Sequence, residues 1–210
     1  MNKYNNKTEK ELLKSLTEAS RNDNVGIVKD ILLNDKYIIK MNKKSVISHL
    51  LLNSIENRSI NIINFLFSEK QVLCNLDVNS INSNGDTALM IAVRVFDSKI
   101  FNILLENGAN PKIGNEQNNT NLIDSLFTYI NSDDFNGHSL MVSYKEDTFK
   151  MAEKIIVDFN HNISEKNYQL LLNNPNEVTN YILKMIDSRT LYQNMNKQLE
   201  SGSKSTYRKI

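Results

Sequence analysis

The chain has a single cysteine, Cys74, so no intramolecular disulfide can form, which fits a reducing compartment. Charge of one sign is also missing. The 25 Lys and Arg against 24 Asp and Glu leave a net charge of +1. That excludes a global basic field able to hold nucleic acid or an anionic membrane. No apolar stretch approaches the roughly 20 residues that a membrane-spanning helix needs. The start, Met1 to Leu16, is polar and lacks the apolar run of a secretory leader, so none is expected. The three histidines, His49, His138 and His161, do not stand in metal-ligand spacing with one another or with Cys74. A zinc site needs about four converging ligands, so neither metal nor cofactor is expected.

Catalytic signatures are absent too. The chain has no phosphate-binding glycine loop, no dinucleotide fingerprint, no nucleophile elbow and no zinc-protease helix. Cys74 has no local base to activate it and reads as an inert thiol. Asp133-Asp134 is the one acidic pair in a long loop, and it lacks a third ligand at calcium-loop spacing. The expectation is a non-enzyme.

What the chain does contain is periodic. Asn84-Gly85-Asp86-Thr87-Ala88-Leu89-Met90-Ile91-Ala92 is followed by Ile103-Leu104-Leu105-Glu106-Asn107-Gly108-Ala109-Asn110. Thr120, Leu122 and Ser125 follow Thr87, Leu89 and Ala92 at a common offset of 33 residues. The G-x-T-x-L-x-x-A helix start, the L-L-x-x-G-A-[DN] helix stop and this period resemble an ankyrin repeat. In that reading Gly85 takes a positive φ, Thr87 caps the first helix and Gly108 ends the second in the left-handed conformation. Ala88 and Met90 depart from the usual T-P-L-H. The missing proline would have preset the first helical turn. The missing histidine implies a less tightly specified stack.

Weaker copies flank this unit. Thr8-Glu9-Lys10-Glu11 reads as a capping box. Leu12, Leu13, Leu16 and Ala19 then form a helical stripe that Asp23-Asn24 breaks. Val28, Ile31, Leu32 and Leu33 match Ile100, Ile103, Leu104 and Leu105 at an offset of 72. Leu51 and Ser54, then Ile62, Phe65, Leu66 and Phe67, match the same unit at an offset of 38. Leu76-Asp77-Val78-Asn79 resembles a unit ending, with about five extra residues before it. Downstream, a first helix from about Asn119 to Ile130 and an apolar set of Ala152, Ile155, Ile156 and Val157 predict a split fourth unit. Its insertion spans 131–147, and Asn160 stands in for Gly108. Asn174 as cap with Pro175 at the first helical position predicts a closing helix pair.

The predicted architecture is all-α: an ankyrin-repeat solenoid of about four helix-turn-helix units plus a C-terminal capping pair. The units are 8–40, 43–79, 80–112 and 113–163, with the cap at 164–190, a domain over 8–190 and a disordered tail at 200–210. A different α-solenoid or a helical bundle is the alternative. The resemblance implies a non-catalytic module that binds a partner protein, without nucleic acid or membrane, as a monomer. Family binding positions fall on Ser83, Asn84, Asp86, Arg94 and Val95 in the third unit. In the fourth they fall on Glu116, Gln117, Asn119, Phe127 and Thr128. Arg94 and Phe127 are the favoured anchors, because Arg and aromatic residues dominate interface energetics. Burial beneath the insertion is the alternative for Phe127, and a solvated helix end is the alternative for Arg94.

The partner's identity stays open. Abundant Asn, Lys and Ile, with their A/T-rich codons, imply a low-GC genome. By family analogy, intracellular bacteria and large DNA viruses of that kind use such arrays as effectors against host proteins. The expected location is cytoplasmic, or host cytosol if the chain is exported. An enzyme with a site near 131–147 and a self-associating structural subunit are the competing readings.

Overall fold

A computed structural model of the chain describes residues 8–33, 43–69, 76–130, 141–158, 163, 165–175 and 177–206. Cys74, Asp133, Asp134, His138, Asn160 and His161 lie outside the described residues. The chain divides into two compact units, Met1–Ser125 and Leu126–Ile210. Among the described residues the structure is all-α, with ten helices, no strand and two isolated β-bridges.

The first unit holds three helix pairs. These are α1 (Glu9–Arg21) with α2 (Val25–Leu32), α3 (Lys43–Glu56) with α4 (Ile60–Ser68), and α5 (Ala88–Arg94) with α6 (Ser98–Glu106). Within each pair the two helices pack together, and α1, α3 and α5 pack in sequence on one another. Helix α1 begins as predicted, with Thr8 and Glu11 forming a reciprocal capping box. The core comes from the predicted stripes: Leu12, Leu16 and Ala19; Val28, Ile31 and Leu32; Leu51, Ile62, Phe65 and Leu66; Ile100 and Leu104. The final position of each second-helix set turns outward. Leu33 is 43% exposed and Phe67 and Leu105 are only half-buried. Three consecutive helical residues span about 200°, more than one packed face can cover.

One turn design joins the helices of every pair. Asp23, Arg58 and Phe96 all take left-handed φ, at 47°, 55° and 52°. The next residue's N–H bonds back across the turn in each case: Asn24 to Ala19 O at 2.9 Å, Ser59 to Ser54 O at 2.8 Å and Asp97 to Ala92 O at 3.2 Å. This is the Schellman pattern, which satisfies the last carbonyls of the first helix. The same residue then opens the second helix. Asn24 accepts from Ile27 N–H and Asp97 from Ile100 N–H.

The middle turn breaks the rule and is repaired by its neighbour. Ser59 makes no such cap; its hydroxyl donates to Ser20 O in the first pair. Asp23 supplies the missing acceptor. Its carboxylate receives the N–H groups of Asn61 at 3.2 Å and Ile62 at 3.0 Å. A carboxylate at a helix N-terminus is also favoured by the peptide dipoles. Arg58 repeats the gesture one unit on, donating to Val95 O. Polar side chains at these turns therefore tie each pair to the next.

Helix α7 (Leu122–Ile130) starts one residue later than the 33-residue offset predicts. Thr120 pairs with Asn115 as Thr87 pairs with Ile81, and here Asn121 and Asp124 exchange side-chain and backbone hydrogen bonds at 3.0 and 3.1 Å at the helix start.

In the second unit, α8 (Met141–Glu153) runs into a π-helical turn, Lys154–Asp158, and packs with α10 (Glu177–Thr206). Helix α9 (Glu165–Asn173) packs on α10 as well. Ala152, Ile155 and Ile156 are buried as predicted, while Val157 is 55% exposed. The rings of Phe149 and Tyr181 meet at a tilt of 52° with centroids 4.4 Å apart. Three expectations are corrected here. Residues 141–147 of the predicted insertion loop are helical. There Glu146 and Lys150 pair across one turn at 2.7 Å, which holds the Glu146 carboxyl below its usual range. Residues 200–206 of the predicted disordered tail continue α10. Finally, the Asn174 side-chain amide closes α9 by donating to Leu170 O, and α10 opens at Glu177 rather than at Pro175.

Gly108 ends α6 at φ 89°, and nothing lies within 4 Å of where its Cβ would be. Any cost of a side chain there comes from backbone conformation alone. Gly108→Val should therefore lower the thermal midpoint clearly more than Asn107→Ala, which removes one hydrogen bond to Ile103 O. Equal shifts in parallel thermal melts would show that position 108 does not need its left-handed geometry.

Candidate functional site

Two hairpin tips project from the first unit, and each is organised by an asparagine. Ile81 and Thr87 form an antiparallel bridge. Between them Asn82 Oδ1 accepts the N–H groups of Asn84 and Asp86, both at 2.9 Å. Gly85 donates to Asn82 O at 3.1 Å and takes φ 82°, as its place in the motif requires. The pattern returns 33 residues on. Asn115 and Thr120 exchange backbone hydrogen bonds at 2.7 and 3.1 Å. Asn115 Oδ1 accepts from Gln117 and Asn118 N–H. Here the left-handed residue is Asn119, at φ 50°.

The two tips are locked together. Asn115 Nδ2 donates to Asn84 O and to Asp86 Oδ1, both at 2.8 Å. Asn115 is 1% exposed, so its amide is satisfied inside the fold rather than by water. A Cβ on Gly85 would lie 2.5 Å from Asn115 Oδ1. Glycine is thus required twice at position 85, for its φ and for the close approach of Asn115.

Asp86 extends this network inward. Its second oxygen meets Arg94 Nη1 at 3.0 Å, and Arg94 Nη2 meets Glu56 at 2.8 Å. Arg94 therefore bridges the second and third helix pairs. It is neither a free anchor nor a solvated helix end.

The predicted binding residues divide accordingly. Ser83, Asn84, Glu116, Gln117 and Asn119 are exposed on the two linked tips. Asp86 and Arg94 are half-buried in the ion-pair network. Val95 is the half-buried C-cap of α5, at the far end of that helix from the tips. Phe127 is corrected: it is fully buried and cannot anchor a partner. Thr128, beside it on α7, is exposed. Met90, at the family's histidine position, is 2% exposed and acts as an apolar plug. The polar links between pairs come instead from Asp23, Arg58, Arg94 and Asn115. Asn82 and Asn115 escaped notice in the sequence, although their 33-residue spacing matches the period. Among the described residues, no three His, Cys, Asp or Glu converge as metal ligands, and no helix is long and apolar enough to cross a membrane.

A family model described as ankyrin repeats (3 copies) matches residues 7–115, just over half of the chain. Those residues contain the three helix pairs and the first hairpin tip. No curated protein and no solved structure matches the chain.

The double requirement at position 85 is separable. Gly85→Ala should destabilise the chain by about 1–3 kcal/mol, the usual cost of a strained backbone residue. Asn115→Ala removes the clash with Asn115, leaving only the flexible Gln117 side chain 3.1 Å away to give way, and leaves the positive φ. The Gly85→Ala/Asn115→Ala variant should therefore stay less stable in urea than Asn115→Ala alone. Equal midpoints would mean that the positive φ at position 85 costs an alanine nothing and that glycine serves to make room for Asn115.

Proposed function

The chain belongs to the ankyrin-repeat family, whose members are generally protein-interaction modules, and from that premise we propose that it is a non-catalytic binder of a partner protein. The observation that carries this reading is the contrast between α5 and the tips. Every residue of α5 from Ala88 to Val93 is buried. The hairpins at its N-terminal end are exposed but rigid, held by the Asn82 and Asn115 networks. Preorganised polar groups lose little entropy when they bind, so such tips suit recognition.

In this reading Ser83, Asn84, Glu116, Gln117 and Asn119 touch the partner. Asp86 and Arg94 act through them as positioning residues. A fourth unit over 113–163 and a capping pair over 164–190 belong to the same proposal. Within the second unit, buried Ala152, Ile155 and Ile156 and the packed α9–α10 pair support those assignments. The single cysteine supports a cytoplasmic setting, or the host cytosol if the chain is exported as an effector. A second reading, self-association, draws on Leu191 and Met195, which are 62% and 53% exposed four residues apart on α10. A light-scattering mass separates a monomeric binder from that subunit.

The test uses the immobilised full chain to capture proteins from source and host lysates, with Asn84→Arg/Gln117→Arg as the comparison. Both positions are exposed, so helicity should not change. At least one captured protein should fall by about thirtyfold or more with the variant, the scale of an interface hot spot. If every specifically captured protein binds both forms equally, the tips are not the interface.

A further inference from the structure

Position 84 combines a free side chain with a held main chain. Asn84 is exposed, and among the described residues no hydrogen bond holds its carboxamide. The peptide group that follows it is fixed at both atoms. Its carbonyl oxygen accepts from Asn115 Nδ2 at 2.8 Å, and its nitrogen, that of Gly85, donates to Asn82 O at 3.1 Å. Asn115 also lies against Gly85, with Oδ1 only 2.5 Å from where a Cβ would be.

Asparagine followed by glycine is a reactive step. Glycine has no Cβ to shield the peptide nitrogen beside it. That nitrogen can attack Asn84 Cγ. Its proton passes to a hydroxide ion, the N–Cγ bond forms and the Cγ–Nδ2 bond breaks. Ammonia leaves with a proton from water, which restores the hydroxide. Water then opens the five-membered imide. Opening at Cγ gives aspartate. Opening at the former main-chain carbonyl gives isoaspartate, whose chain runs through Cβ and Cγ. The net change is one water in and one ammonia out, with no oxidant or reductant. Ring closure needs the Asn84–Gly85 peptide group to turn its nitrogen towards Cγ, so the bonds from Asn115 and to Asn82 oppose it.

Two other Asn-Gly steps occur. Asn136-Gly137 lies outside the described residues. At Asn107-Gly108 the side chain is itself tied, with Nδ2 donating to Ile103 O at 2.8 Å, and Gly108 N–H donates to Leu105 O at 3.0 Å. Of the two described steps, Asn84 alone has a free carboxamide.

We propose that Asn84 is a modification site, deamidated by its own main chain and gated by the Asn115 contact between the tips. The product sets a new carboxylate two residues from Asp86, and like charges at that spacing repel. Isoaspartate also adds a methylene to the main chain and draws the carbonyl away from Asn115. The tip then loses the contact that holds it. What this means for binding rests on the protein-binding reading: modification retires the tips as a recognition surface. The chemistry does not depend on that reading.

The full chain is incubated in mildly alkaline buffer, digested and mapped by mass spectrometry, which reads the exchange of NH2 for OH at each asparagine. In the folded chain Asn84 should convert faster than Asn107. In guanidinium chloride, where neither site keeps its contacts, both should speed up and their rates should converge. Asn115→Ala should speed Asn84 by at least about fivefold, the factor that losing one hydrogen bond of ordinary strength gives, and should leave Asn107 unchanged. The proposal is overturned if Asn84 lags Asn107 in the folded chain, or if Asn84 converts as fast folded as denatured. Equal Asn84 rates in the natural chain and in a folded Asn115→Ala would overturn it too. The first two readings use the natural chain alone, so they decide even where Asn115→Ala fails to fold. No partner enters any of these measurements, so a failed gate and a failed tip interface are read separately.

Discussion

Helix α5 has no solvent face, and the rest of the first unit is arranged around that fact. Ala88, Leu89, Met90, Ile91, Ala92 and Val93 are all at most 2% exposed. A seven-residue helix is too short to persist alone in water, so its existence depends on α3 and α6 packing around it. Complete burial also leaves α5 no room for polar links along its length. They gather at its two ends. Thr87 and the hairpin network hold the N-terminal end, and Arg94 with Val95 holds the other.

This division explains how a divergent array keeps its register. Apolar burial is strong but non-directional, so it does not by itself choose between neighbouring alignments of two helix pairs. Side chains reaching a defined backbone group do. Asp23 caps the helix of the next pair, Arg58 bonds a carbonyl one pair on, and Asn115 ties two hairpins at four atoms. Each such bond contributes only about 1 kcal/mol net. Their value lies in position. The same rigidity supports the role proposed for the hairpin tips.

The sequence was most legible where backbone geometry leaves one residue type a clear advantage. Gly85 and Gly108 announced their positive φ, and Thr8 with Glu11 announced a helix start. It was least legible where contacts come from far along the chain. Nothing local shows that Asp23 caps α4, since carboxylate and helix are 38 residues apart. Phe127 could be read as anchor or core, because a helical period does not say what covers a face. The helical residues 141–147 and 200–206 were missed because their polar composition masks segments that continue neighbouring helices.

The central claim is that the first unit is a coupled stack built around α5, and amide hydrogen exchange on the native chain tests it most directly. The α5 amides from Ile91 to Arg94 should be among the slowest in the chain and should exchange together with those of α3 and α6, by a common opening. Exchange in α5 as fast as in α1, or independent opening of α5 while α3 and α6 stay protected, would contradict the account.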